Sequence, residues 1–165
     1  DFKKTMSITP AYLVTQDADD VMDFSQMTLE LGRRFRALKL WFVIRCYGVS
    51  GLQAIIRDHV RWTEEMARRI ADTDGFEITS SPQLGLFSFR LAPGHMADGA
   101  ALDDLNARLV DAINQDGALY LTQTMYEGRY VIRVSIGTTA TTANDIDIAY
   151  ERIVALAAPL LAEKS

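Results

Sequence analysis

Directly after a Glu127-Gly128 pair, Tyr130, Ile132, Val134 and Ile136 alternate with Val131, Arg133 and Ser135. A period of two with one apolar side marks a half-buried strand. The Glu-Gly pair predicts a tight turn back to an earlier strand, which begins at Leu119 and Leu121. Upstream, Leu84 to Leu91 repeats the pattern, with Phe87, Phe89 and Leu91 on one face. A short strand, Phe76-Glu77-Ile78-Thr79, precedes it, and Ser81-Pro82 is expected to end that strand. Two amphipathic helices accompany the strand pairs. Leu102, Leu105, Leu109 and Ile113 line the first, which stops at Asp116-Gly117. Ile146, Ala149, Ile153, Leu156 and Leu160 line the second, started by Thr142 with Asp145 as an acidic variant of the capping box. The order helices, ββ, α, ββ, α predicts an α+β domain: an antiparallel sheet with helices packed on one face.

The run from Leu31 to Arg45 reads as a helix with an odd charge distribution. Leu38, Trp41, Phe42 and Arg45 recur at helical spacing, yet Arg33, Arg34 and Arg36 crowd the first turn. The helix dipole favours anions there, so these guanidinium groups need compensation from another segment, another subunit or an anionic ligand. Gly48 is expected to end this helix and Gly51 to open another, with Leu52, Ile55, Ile56, His59, Val60, Met66 and Ile70 as its apolar stripe. On that stripe His59 reads as a core or interface histidine. Near the N-terminus Thr9-Pro10 signals a short helix. The acidic stretch Gln16-Asp17-Ala18-Asp19-Asp20 reads as a loop, either a solvated connector or a functional segment.

At 165 residues with 48% hydrophobic and 24% charged side chains, the chain is long enough for one domain with a genuine core. A net charge of −5 gives no reason to expect nucleic acid or a membrane surface as partner, and no apolar run reaches the roughly 20 residues of a bilayer span. The single cysteine, Cys46, excludes an internal disulfide, fits a reducing cytoplasm and is expected in buried helical packing. His95, in the Pro93-Gly94-His95 loop, has no second ligand at metal-binding spacing. Gly-rich phosphate loops, nucleophile elbows and metal clusters are all missing from the sequence.

Several segments, in order, resemble one family. They are Ile8-Thr9-Pro10-Ala11-Tyr12-Leu13, the stretch Leu31 to Trp41, Tyr47-Gly48-Val49-Ser50-Gly51-Leu52-Gln53, Ile56 to Val60, Leu84 to Leu91, and Tyr130 to Gly137. Together they are similar to the pyridoxal-phosphate-dependent group II decarboxylases, the family of the aromatic-L-amino-acid decarboxylases. The resemblance implies the C-terminal small domain of a fold type I enzyme. Residues 1–30 would be a short helix and mobile active-site loop, and 31–165 the small domain. Family members are much longer and hold pyridoxal 5'-phosphate through a lysine next to a histidine in a preceding large domain. Here Lys3, Lys4, Lys39 and Lys164 do not follow a histidine. The resemblance therefore implies a part of a homodimeric, cytoplasmic amino-acid decarboxylase, with aromatic L-amino acids as the expected substrates, inactive alone because the Schiff-base lysine is absent.

The family places a proton-donating tyrosine on its mobile loop. The aligned residue here is Phe24, whose ring has no proton to give. Phenylalanine at this position accompanies oxidative aldehyde formation in some relatives; loop-tip packing is the other reading. Arg133 faces away from the apolar side of its strand, and a guanidinium can hold a carboxylate bidentately. It is a candidate for substrate anchoring or for a structural salt bridge to the loop. Arg33 and Arg34 are candidates to anchor the loop's C-terminal end or the subunit interface. A reading from a different class is a cofactor-free α+β binding or oligomerisation module.

Overall fold

The computed structural model describes residues 35–97 and 99–162. The chain divides into two compact units, Asp1–Gly48 and Val49–Ser165. The division falls within α1 (Arg36–Ala71), where Gly48 leaves helical geometry at φ 67° and ψ 166°. Nothing stands within 4 Å of the point where a Cβ would be, so the left-handed backbone alone favours glycine at this break. In the first unit the described residues are Phe35, the arm 36–47 and Gly48, and every side chain from Phe35 to Tyr47 is exposed. Trp41 meets Phe42 edge-on at 5.1 Å, and the Arg45 guanidinium lies 5.8 Å from the Trp41 ring. Cys46 is exposed as well, against the expected buried packing. Its arm has no single inward face on which a small thiol could be enclosed.

The second unit holds the arm 49–71, four strands and two more helices. The strands are β1 (Phe76–Gln83), β2 (Leu86–Leu91), β3 (Thr122–Tyr126) and β4 (Arg129–Ser135); α2 is Ala100–Asp116 and α3 is Ala143–Ala162. The sheet order is β1-β2-β4-β3, with every neighbouring pair antiparallel. Cross-strand partners Phe87↔Val134 and Phe89↔Ile132 place the apolar sets of β2 and β4 on one face. Buried residues of all three helices complete that core, among them Met66 and Ile70, Leu105 and Ile113, and Ile153 and Ala157. The expected α+β arrangement, helices against an antiparallel sheet, is the arrangement found.

Strand limits differ from expectation at three places. β1 runs through Ser81-Pro82 instead of ending there. It is an edge strand with register shifts between Ile78 and Ser80 and between Ser80 and Gln83, and an edge or a bulge tolerates a missing N–H. β2 starts at Leu86 because Leu84 (φ 53°) and Gly85 form the turn. A Cβ on Gly85 would run into the carbonyl oxygen of Ile136, whose N–H donates to Gly85 O at 2.8 Å. β3 starts at Thr122, after Leu119 and Leu121. The Asn114 amide accepts from Leu121 N at 2.8 Å and donates to Leu121 O at 3.0 Å, taking both backbone groups out of the ladder.

The turn between β3 and β4 is as read: Glu127 (φ 51°) and Gly128 (φ 76°) are both left-handed, as a two-residue hairpin of the twisted kind requires. Ahead of α3, Thr142 N donates to Asp145 Oδ2 at 2.8 Å, and Asp145 N donates to the Thr142 hydroxyl at 3.4 Å. This is the anticipated reciprocal cap.

Candidate functional site

The sheet face turned away from the apolar core carries the polar chemistry. Antiparallel register puts Arg133 between Ser88 of β2 and Thr122 of β3. Beside it, the Ser88 hydroxyl lies 2.8 Å from the Thr79 hydroxyl and 2.7 Å from that of Ser80. Ser88 is buried and Arg133 exposed. Among the described residues no carboxylate lies within ion-pair distance of Arg133. The salt bridge considered for Arg133 is therefore not seen among them, and its five donors face solvent beside a row of hydroxyls.

Two further arginines share this face. Arg90 is fully buried, opposite Glu77 in register. Arg129 donates to Glu77 at 3.3 Å and to Glu127 at 3.4 Å. Nothing in the alternation of β2 distinguishes a buried Arg90 from a solvated one, so sequence reasoning missed it. On the core face, burial and then the nearby Asp111 carboxylate push the Tyr130 phenol above its ordinary value. The Tyr130 N–H donates to Asp103 Oδ1 at 2.9 Å, tying the start of β4 to the first turn of α2.

Phe24, Arg33 and Arg34 lie outside the described residues. Arg36 opens α1, whose first turn has no acidic residue, so that turn supplies no compensating charge. His59 is buried with its ring 5.9 Å from that of Trp62, and its carbonyl accepts from the Thr63 hydroxyl; His95 is exposed. Both fit the structural roles expected of them. Among the described residues no group of His, Cys, Asp and Glu is arranged to hold a metal ion, and no helix is long and apolar enough to cross a membrane.

A pyridoxal phosphate site needs a lysine for the Schiff base and donors for the phosphate. The one lysine among the described residues, Lys39, stands exposed on the arm 36–47. A cleft of about 480 Å3 at the end of β4 has no lysine, arginine or histidine in its lining. The described residues therefore do not by themselves build a site for that cofactor.

Comparison with known proteins brings these features together. Residues 1–92 match the family described as "Pyridoxal-dependent decarboxylase conserved domain". The chain is 36% identical over 164 residues to the aromatic-L-amino-acid decarboxylase of Sus scrofa, covering 98% of this chain and 32% of that protein. Among solved structures, Catharanthus roseus tryptophan decarboxylase in complex with L-tryptophan is similar with a TM-score of 0.78 and 31% identity, over 96% of this chain and 33% of that one. Rhodiola rosea 4-hydroxyphenylacetaldehyde synthase is similar with a TM-score of 0.76 and 30% identity, over 88% of this chain and 31% of that one. The chain spans about a third of the length of the relatives it matches.

Proposed function

This chain belongs to the pyridoxal-dependent decarboxylases, a family whose cofactor is pyridoxal 5'-phosphate, and from that premise we propose that it works as the C-terminal small domain of an enzyme decarboxylating aromatic L-amino acids. The observation that carries this reading is 36% identity to an aromatic-L-amino-acid decarboxylase over 98% of the chain. In this reading the cofactor is held by the large domain that the family resemblance implies, the chain spanning about a third of the length of its relatives. The chain alone is then inactive. Residues 1–30 supply the short helix and active-site loop, 31–165 the small domain, and the whole enzyme is a cytoplasmic homodimer.

Arg133 has a defined task here. Its guanidinium, beside the Ser88 and Thr122 positions, offers a bidentate hold on a carboxylate, either of the amino acid or of the loop. Arg33 and Arg34 anchor the loop's C-terminal end or the subunit interface.

A second reading has its own observation. An aldehyde synthase is among the similar structures, and this reading takes Phe24 to occupy the loop position where the resembling decarboxylases carry tyrosine. The alternative product is the aldehyde, formed with dioxygen and water as co-reactants and with release of ammonia, carbon dioxide and hydrogen peroxide. The test is product analysis on the full-length enzyme with L-tryptophan and L-tyrosine. Amine with carbon dioxide and no peroxide supports simple decarboxylation; aldehyde with peroxide supports the second reading. In the aldehyde case Phe24→Tyr should shift the product toward amine. An unchanged product in that variant removes the argument from the loop position, and no turnover of either amino acid removes the aromatic substrate assignment.

A further inference from the structure

We propose that the cleft at the end of β4 binds an arylalkylammonium ion, the class of amine that the decarboxylation proposed above would release. The cleft lies between the end of β4, the first turns of α3 and the segment leading into β3. At about 480 Å3 it has the size of a small-molecule site. Leu119, Leu121 and Ile136 form apolar walls, and Tyr120 and Ile148, 79% and 43% exposed, stand at the rim. Such walls suit a flat hydrocarbon or indole body, and the tyrosine face adds attraction for a cation.

The charged lining is one-sided. Asp145 is its single ionisable carboxylate, and no lysine, arginine or histidine joins it. The Thr142 N–H and hydroxyl both donate to Asp145 Oδ2 at 2.8 Å. Oδ1 keeps its lone pairs free of hydrogen bonds among the described residues. Those donors, the hydroxyl before the amide, hold the Asp145 carboxyl below the usual carboxylate range. Asp145 is exposed at the mouth of these apolar walls, where its carboxylate attracts an ammonium group and repels a carboxylate. Loss of carbon dioxide removes the one group that Asp145 would repel. The cleft thus separates an aromatic amine from the amino acid it came from, which is the property of a product-sensing site.

This inference rests on the proposed reaction only for the source of the amine, so the two can fail separately. The experiment is a methyl-resolved NMR titration of the full chain, labelled at isoleucine, with tryptamine, L-tryptophan and indole-3-propionate. Tryptamine should shift the methyls of Ile136 and Ile148 and bind about tenfold more tightly than either carboxylate-bearing compound. Asp145→Asn should abolish that preference. Ile148→Lys, which changes only an exposed rim residue, should weaken tryptamine without disturbing the spectrum elsewhere. Equal affinity for indole-3-propionate overturns the proposal, as do a preference that survives in Asp145→Asn and shifts confined to other isoleucines. If tryptamine binds here while the intact enzyme releases no amine, the reaction assignment fails and the site stands; the converse result sinks the site alone.

Discussion

Asn106 sits on the buried stripe of α2 with no exposed surface, flanked by Leu102, Leu105 and Leu109. Its side-chain oxygen accepts from Leu91 N at 2.7 Å, and its amide donates to Leu91 O at 3.0 Å and Leu102 O at 2.8 Å. One side chain thereby closes the end of β2 against α2. Asn106→Ala would leave both Leu91 backbone groups buried without partners, at a cost of about 3 kcal/mol. A urea midpoint equal to the parent's would refute this account of the clamp. Asp145 makes a prediction of a different kind. Its folded pKa is lowered by the Thr142 hydroxyl and then the Thr142 N–H. The resulting stability is fully present above the unfolded carboxylate pKa of about 3.9 and is lost as pH falls through the folded value. Asp145→Asn should therefore be less stable than the parent at neutral pH, with the two converging in strong acid. Denaturation curves whose gap stays constant across that range would separate the cap from its charge.

The two arms of α1 show how one element can carry two patterns. Along 49–71 the buried side chains His59, Thr63, Met66, Ala67 and Ile70 make one stripe, as an amphipathic surface helix requires. Along 36–47, Leu40, Val43, Ile44 and Tyr47 fall on one side at 100° per residue and Leu38, Trp41 and Phe42 on the opposite side; Arg36 lies among the first set, Arg45 among the second and Lys39 between them, so no polar face forms. A helix with apolar side chains on opposite sides buries both in an interior, yet these side chains are exposed. The purified chain is accordingly expected to self-associate. Replacing both Trp41 and Phe42 by glutamate should lower the sedimentation mass while leaving the urea midpoint of the second unit in place. Association that persists in the double variant would mean another surface carries it. The break at Gly48 belongs to the same scale: the sequence marks it through glycine, and the backbone needs it because φ there is 67°.

Across the second unit, polar ties join neighbouring elements outside the core. Arg69 donates to Asp147 at 2.6 Å and lies 3.9 Å over the Tyr150 ring, while Thr73 meets the Tyr150 hydroxyl at 2.8 Å. Arg152 makes two bonds to Asp116, at 3.1 and 2.6 Å, fastening α3 to α2. The sequence by itself determined the order of strands and helices, the shared face of Phe87, Phe89, Ile132 and Val134, the Thr142–Asp145 cap, and the outward direction of Arg133. Each depends on a period, a turn or a cap spanning a few residues of one segment, so the information is local. The tertiary structure alone decided that β1 continues through Pro82, that Asn114 withdraws Leu121 from the ladder, that Arg90 is buried while Arg133 meets no carboxylate among the described residues, and that three distant segments form a cleft with Asp145 in its lining. Those outcomes depend on which groups meet across tens of residues, and on the cost of leaving a buried polar group unpaired. No periodicity within a single segment encodes them.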